Sequence, residues 1–489
     1  MNAPLLLTLV MLLPLACAGA ILLVRRNPNL REAVSVVGGM ALFGLVLALT
    51  AAVRSGEAVS LELAEPIPGL RLHLSPEPLG LLFAMLASFL WPTTVLFAIG
   101  YMRGLGEHDQ TRFYTCMALS VTATLGIAMA GDMLTLFLFY EVLTVATYPL
   151  VTHAGTAAAR RAGRIYLGIL MGTSMSMLLL ATAITYRTTG TLDFQAGGVF
   201  GTGFDPKLLS VVLILFVFGA SKAALMPFHR WLPNAMVAPT PVSALLHAVA
   251  VVKAGVFTIL KVSVYLFGID TLTSLDGAVV MRFVAAFTIL AASLIALRSD
   301  NLKLRLAYST VSQLAYIVMG AMLATSAGMV GSGMHLVMHA FGKITLFFCA
   351  GAILVASRRK YVSELDGIGQ RMPWTMAAFT IGTLSLIGLP PTGGTWSKWM
   401  LLQGTLDAGT ISLMVVLLLS ALLNLAYLLV IPVRAYFAPA QAAQGKALPM
   451  EEVPESPLPC RIALGITSVG CILGFVFPEP LWTFVQEAL

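Results

Sequence analysis

Residues 221–256 read SKAALMPFHRWLPNAMVAPTPVSALLHAVAVVKAGV. The stretch is apolar over most of its length, yet it holds lysines at 222 and 253, histidines at 229 and 247, and prolines at 227 and 233. Proline removes an intrahelical donor and kinks or breaks the helix. Carbonyls released in this way inside a bilayer must be buried in protein or line a polar cavity. A charge near the bilayer centre costs about 2.5–3.5 kcal/mol on insertion scales, and such groups mark ion paths or relays. The stretch therefore predicts a broken helix carrying Lys222, then an intact one carrying His247 and Lys253.

The rest of the chain supplies the bilayer. Of 489 residues 58% are hydrophobic and 10% charged, with a mean hydropathy of +0.91. Soluble domains carry about 25% charged residues. Apolar runs long enough to span recur from Leu5 to Trp482, which leaves no room for a sizeable soluble domain and excludes a transmembrane β-barrel, whose segments are short and alternating. The spans fall near 4–24, 32–53, 78–101, 113–131, 133–151, 163–186, 208–238, 240–267, 279–297, 306–322, 333–356, 372–403, 410–432 and 461–485. No Lys or Arg precedes the first run, so it reads as a span and not as a cleaved signal peptide. Cys17, Cys116, Cys349, Cys460 and Cys471 show no CxxC spacing and read as structural thiols, with no metal or disulfide set.

Basic residues orient these spans. With loops numbered by the span they follow, odd loops carry Arg25, Arg26, Arg31, Arg103, Arg112, Arg160, Arg161, Arg164, Arg230, Arg298, Lys303, Arg305, Arg358, Arg359, Lys360, Arg371, Arg434, Lys446 and Arg461. Even loops carry Arg54, Arg71, Arg187, Lys207 and Arg282. Cytoplasmic loops hold the basic excess, so odd loops face the cytoplasm, both termini face outside, and the chain belongs in the cell membrane.

Five basic residues remain, all lysine and all inside apolar stretches: Lys222, Lys253, Lys261, Lys343 and Lys398. Arginine is not deprotonated in proteins, whereas a desolvated lysine titrates readily. Glu141 lies mid-span, and His335, His339 and Lys343 follow a four-residue step that puts them on one helix face. Lys261, near the outer end of its span, either snorkels to the interface or joins the path. His335 lies slightly aside, with a structural role as open as a functional one. His229, beside the break, either caps a freed carbonyl or carries a proton. A second break, SLIGLPPTGGTWSKWM at 385–400, precedes Lys398. Paired interruptions point to a transporter built from inverted repeats. Helices 4–8 and 9–13 then form two inverted five-helix units with helices 7 and 12 broken. Residues 1–105 hold three leading helices, 106–270 and 271–435 the two units, and 436–489 a loop and last helix.

The stretches GDMLTLFLFYEVLT (131–144), 221–256, DNLKLRLAYSTVSQLAYIVMG (300–320), HLVMHAFGKITLFFCAG (335–351) and SLIGLPPTGGTWSK (385–398) resemble the antiporter-like subunits. These subunits are shared by Mrp-type cation/proton antiporters, respiratory complex I and membrane-bound hydrogenases. The resemblance covers roughly residues 75–430 and implies fourteen helices with 4–8 and 9–13 as inverted repeats. It implies a relay in which Glu141 partners Lys222, His247 and Lys253 follow, His339 and Lys343 continue, and Lys398 closes the line. Glu77 stands where many members have aspartate, and its role is open. Among owners of such a subunit the D subunit of Mrp systems fits best: no long amphipathic arm follows the last helix, and position 398 is lysine. A proton-pumping subunit of a complex I-type NADH:quinone oxidoreductase or a hydrogenase is the alternative.

The expected mechanism starts from a buried Glu141–Lys222 ion pair near the cytoplasmic side. Opening it releases a proton toward His247 or Lys253, then His339, Lys343 and Lys398, with Ser221, Thr240, Ser243, Ser312 and Gln313 as wire. Histidine suits the middle because it titrates near neutrality. Partners are other membrane subunits, lipid, and protons with sodium or potassium as alternative cargo; no cofactor, metal or nucleic acid is expected. Two other classes compete: a redox subunit binding haem or quinone, for which His335 and His339 sit awkwardly on one helix, and a passive scaffold in which the charges are interhelical glue.

Overall fold

The computed structural model describes residues 2–67, 69–201, 203–439 and 447–489. Lys446, one of the odd-loop basic residues, lies outside them. Two apolar helices, α1 (Ala3–Leu23) and α2 (Pro28–Arg54), lead into a hairpin of β1 (Leu61–Ile67) and β2 (Leu70–Leu74). Then come α3 (Pro78–Leu105), α4 (Gln110–Met129), α5 (Met133–Val151), α6 (Ala157–Thr189), α7 (Pro206–Gly219) and α8 (Thr240–Phe267). The remainder comprises α9 (Asp276–Arg298), α10 (Leu302–Met322), α11 (Ser326–Ser357), α12 (Pro373–Ile387), α13 (Gly394–Asp407), α14 (Ile411–Phe437), α15 (Leu458–Val476) and α16 (Glu479–Gln486). Eleven of these helices, among the described residues, are long and apolar enough to cross a membrane. The architecture is that of a polytopic helical membrane protein.

Burial sorts the helices into two layers. α8 is buried along its whole length and α11 over most of it. α11 packs against α3, α8, α10, α12, α13 and α15, so it is the hub of the bundle. Around this centre α1, α2, α6, α14 and α15 expose apolar side chains such as Leu22, Val37, Met175, Leu422 and Val469. A helix that is apolar all round with one side exposed suits lipid or a neighbouring membrane subunit.

The broken regions differ from unbroken spans in instructive ways. Residues 208–238 do not form one interrupted helix. α7 stops at Gly219, and short turns at Ser221–Ala223, Phe228–Arg230, Trp231–Asn234 and Ala235–Val237 follow it. Ala224 takes a left-handed backbone (φ 55°), and Pro227 and Pro233 prevent the helix from resuming. The second break runs as anticipated: α12 ends at Gly388, left-handed at φ 90°, and α13 begins at Gly394. Glycine is required at 394 because a Cβ would meet the Ser385 carbonyl oxygen at 1.8 Å. The expected last span, 461–485, is two helices, since Pro478 ends the first and starts the second.

The hairpin is the element that hydropathy concealed. Its strands are antiparallel with Leu61 opposite Leu74, and β2 reads LRLHL, a two-residue alternation typical of a half-buried strand. It docks on the turn between α4 and α5, where Gly131 donates to the His73 carbonyl and Ser75 donates to the Met129 carbonyl.

Candidate functional site

Lys222 follows α7 in a single tight turn and points at α5. Its Nζ donates to the Tyr140 carbonyl (2.9 Å) and to Thr144 Oγ1 (2.7 Å), and it lies 3.1 Å from the centre of the Tyr140 ring. Glu141 makes no salt bridge with it, and both Glu141 carboxylate oxygens are buried without a hydrogen-bond partner. The expected direct ion pair is therefore corrected. Tyr140 and Thr144 are four residues apart and share one helix face, whereas Glu141 lies about 100° round the helix from Tyr140.

The centre is assembled by α8, α10 and α11. Lys253 Nζ and His339 Nδ1 are 2.7 Å apart, joining α8 to α11. His247 Nδ1 meets Thr310 Oγ1 at 2.9 Å. Lys343 donates to the Leu306 carbonyl (3.1 Å) and Ser309 Oγ (2.7 Å) on α10. The outward nitrogens of His247 and His339, both Nε2, are buried without partners. His335 packs its ring 5.8 Å from that of His339 and bonds Gln313 Oε1 (3.0 Å) and Ser397 Oγ (2.9 Å). It thus ties α11 to both α10 and α13. Lys398 reaches back across the second break to the carbonyls of Leu386 (2.7 Å) and Ile387 (3.1 Å). Lys253 of the first half thus meets His339 of the second, His335 packs beside His339 and bonds Ser397, the neighbour of Lys398, and Lys343 lies one turn beyond His339 on α11. His229 stands apart, half-buried beside the Tyr308 ring at 6.2 Å, with Nδ1 unpartnered.

Lys261 does not snorkel. It is fully buried, its Nζ is 2.8 Å from Glu77 Oε1, and it also donates to the Ala130 carbonyl at 2.7 Å. Of the five buried lysines it alone, among the described residues, has a carboxylate within 4.0 Å. Close by, Asp132 caps α5 by accepting from the Thr135 amide (2.8 Å) and lies 3.2 Å from His73 Nδ1. The Asp132 hydrogen bond, aided by that carboxylate's charge, raises the His73 pKa above its ordinary value of 6.5. Partial burial opposes the rise.

The hydroxyls bonded to the buried amines and imidazoles are other residues than those expected. Ser221 is bonded to Thr173, Ser243 returns to the Pro239 carbonyl, and Ser312 sits with Ser293 and Ser420. Thr240 bonds Tyr101 at 3.4 Å, and Gln313 bonds His335, a side chain beside the expected line. The hydroxyls in contact with amines and imidazoles are Thr144, Ser309, Thr310 and Ser397. Their signal was spacing: Thr144 is one turn from Tyr140, and Ser309, Thr310 and Gln313 share α10.

Chemically, Lys222, Lys343 and Lys398 are held by carbonyls and hydroxyls, Lys261 by a carboxylate and a carbonyl, and Lys253 by the His339 imidazole. A carbonyl accepts from an ammonium or from a neutral amine, so either protonation state keeps its hydrogen bonds. No group of three His, Cys, Asp or Glu suited to a metal ion occurs among the described residues. The five cysteines are free and buried.

Comparison with known proteins places this arrangement. A protein-family model described as NADH:quinone oxidoreductase/Mrp antiporter, TM, matches residues 130–424. NADH-quinone oxidoreductase subunit N of Desulforudis audaxviator is 31% identical over 439 residues, 86% of this chain and 85% of that protein. F(420)H(2) dehydrogenase subunit L of Methanosarcina mazei is 31% identical over 346 residues, 64% of this chain and 49% of its own length. The chain spans about half the length of several such longer relatives. Among solved structures, a chain of the Mrp complex from Dietzia sp. DQ12-45-1b shares the fold with a TM-score of 0.88 at 22% identity, covering 100% of this chain and 97% of that one. A chain of the archaeal membrane-bound sulfane sulfur reductase complex does so with a TM-score of 0.83 at 23% identity, covering 99% and 96%. With the family model covering more than half of its residues, the chain belongs to the NADH:quinone oxidoreductase/Mrp antiporter transmembrane family, as an antiporter-like membrane subunit.

Proposed function

We propose that this subunit translocates protons, alone or in exchange for sodium or potassium, along a buried axis from Glu141 and Lys222 through His247, Lys253, His339 and Lys343 to Lys398. The observation that carries this reading is the 2.7 Å contact of Lys253 with His339, which brings two titratable groups from opposite halves of the molecule within proton-transfer reach in its most buried layer. Thr144 and Tyr140 hold Lys222 beside Glu141 in place of a direct pair, so handover between those two takes a bridging water.

The reading includes fourteen spans: the eleven long apolar helices, α10, α7 with its following turns, and α12 with α13. It also includes two inverted units, 106–270 and 271–435, flanked by 1–105 and 436–489, and an orientation with both termini outside. The positions of the two breaks and the distribution of basic residues support it. Within the family we favour the D-type subunit of a cation/proton antiporter, on the lysine at position 398. The second reading, a complex I-type subunit, draws on the N-subunit relative that matches 86% of the chain.

Glu141→Ala and Lys222→Ala, in the assembled complex in sealed vesicles, are expected to abolish ion-coupled transport while the chain stays inserted. Transport at the wild-type rate in either variant refutes the axis. The cation requirement of the wild-type rate separates exchange for sodium or potassium from proton movement alone.

A further inference from the structure

The axis uses four of the five buried lysines. The fifth, Lys261, lies on the same helix as Lys253, eight residues further on, or about 12 Å at 1.5 Å per residue. It is directed to the end of the molecule that carries the hairpin, which the proposed orientation places outside. There it meets Glu77 at the start of α3 and the Ala130 carbonyl in the turn before α5. That turn continues into Asp132, which bonds His73, and the His73 side chain is one-fifth exposed. Titratable groups thus step from the centre of α8 to the surface: Lys253, Lys261, Glu77, then Asp132 with His73. The remaining titratable neighbours are Asp193, which bridges Asp132 through the backbone, and Tyr265 on α8, whose hydroxyl is buried without a partner.

We infer that the Glu77–Lys261 pair is an outer proton gate of the first five-helix unit, a second outlet beside the one through Lys398. The inference rests on the proposed axis, because Lys253 must be a proton carrier for Lys261 to receive from it. The pair in this structure is the loaded state, an ammonium opposite a carboxylate. Transfer of one proton from Lys261 to Glu77 leaves a neutral amine and a carboxylic acid. Glu77 then gives that proton to outer water past His73, and the amine takes the next proton arriving from Lys253 through intervening water. One proton enters and one leaves, and both groups return to their first forms. The turn at 130–132 covers Lys261 through the Ala130 carbonyl, and both Glu77 carboxylate oxygens are buried, so release requires water to reach Glu77 beside that turn.

A structural brace between α3 and α8 is the competing account, and chemistry separates the two. Lys261→Arg keeps the positive charge and its reach to Glu77 and Ala130 but is not deprotonated. Glu77→Gln keeps an oxygen for Lys261 but cannot carry a proton as a carboxyl group does. In the assembled complex in sealed vesicles, with the other outlet closed by Lys398→Ala, each variant is expected to insert normally and to lower the remaining proton transport at least about tenfold. No remaining transport with Lys398→Ala alone, or a remaining rate within about twofold of that protein when Lys261→Arg is added (Glu77→Gln if the arginine variant fails to assemble), overturns the gate. Run beside them, an inactive Lys222→Ala with both gate variants fully active sinks the gate and leaves the axis standing. A fully active Lys222→Ala sinks the axis and the gate with it.

Discussion

His73 shows how an imidazole only one-fifth exposed reports on its buried neighbours. Its folded pKa is raised above 6.5 by the Asp132 hydrogen bond, so the pair contributes stability that is complete below pH 6.5 and fades as pH rises through the raised value. With the carboxylate buried and the imidazole one-fifth exposed, the hydrogen bond contributes on the order of 1 kcal/mol, enough to alter how often the hairpin lifts. Proteolytic nicking of the 61–74 hairpin in membranes is expected to rise as the pH climbs above 6.5, and Asp132→Asn should flatten that rise at the high level. Asparagine still caps α5, so a retained pH response in the variant excludes His73–Asp132 as its source. At this scale the sequence was informative about which residues ionise and poor about whom they meet. Lys222, Lys253, Lys343 and Lys398 were visible as lysines in apolar runs. Their partners (carbonyls and hydroxyls for three of them, the His339 ring for Lys253) were not, because a partner is chosen by helix rotation, and Tyr140 and Glu141 are adjacent in sequence yet face different ways.

At the scale of elements, the breaks place the side chains. Lys222 reaches α5 because α7 has ended, and the turn that carries it is pressed against α8 at Gly255. A Cβ there would lie 2.1 Å from the Ala223 nitrogen and 2.4 Å from the Lys222 carbonyl carbon, both backbone atoms that cannot swing aside. Gly255→Ala is therefore expected to cost about 1–3 kcal/mol by overpacking and to lower transport by displacing Lys222. Gly172→Ala on α6, where an added Cβ meets nothing within 4 Å, is the matched control, expected to change stability by less than about 0.5 kcal/mol. Equal assembly yields for the two variants would show that the contact does not constrain the break. Both interruptions were legible from proline and glycine. The wide turns at Leu245–Val249 and Ser263–Phe267 in α8 were not, since an apolar run gives no sign of one extra residue per turn. The first of these carries His247 and offsets its direction from that of Lys253. The hairpin escaped for a different reason: hydropathy windows discard a short alternating strand between long apolar runs.

For the whole molecule the question is whether the two halves form one conductor or two. Each half has its own broken segment and its own lysine beside the break, an arrangement that would serve two separate paths equally well. What argues for one is the Lys253–His339 contact, placed where the fully buried α8 meets the hub helix α11. Groups that act in series lose the same step when either is removed, so their effects do not add, whereas independent routes lose rate separately. Lys253→Ala and His339→Ala are each expected to slow transport by about tenfold or more, and the double variant should be no slower than the slower single. The rates are to be taken per inserted subunit in sealed vesicles, so that a folding defect is not counted as a transport defect. Multiplying losses in the double variant would mean that each half conducts by itself, and the 2.7 Å contact would then be a brace between two channels. Non-additive losses make it the joint through which a proton entering beside Glu141 reaches Lys398.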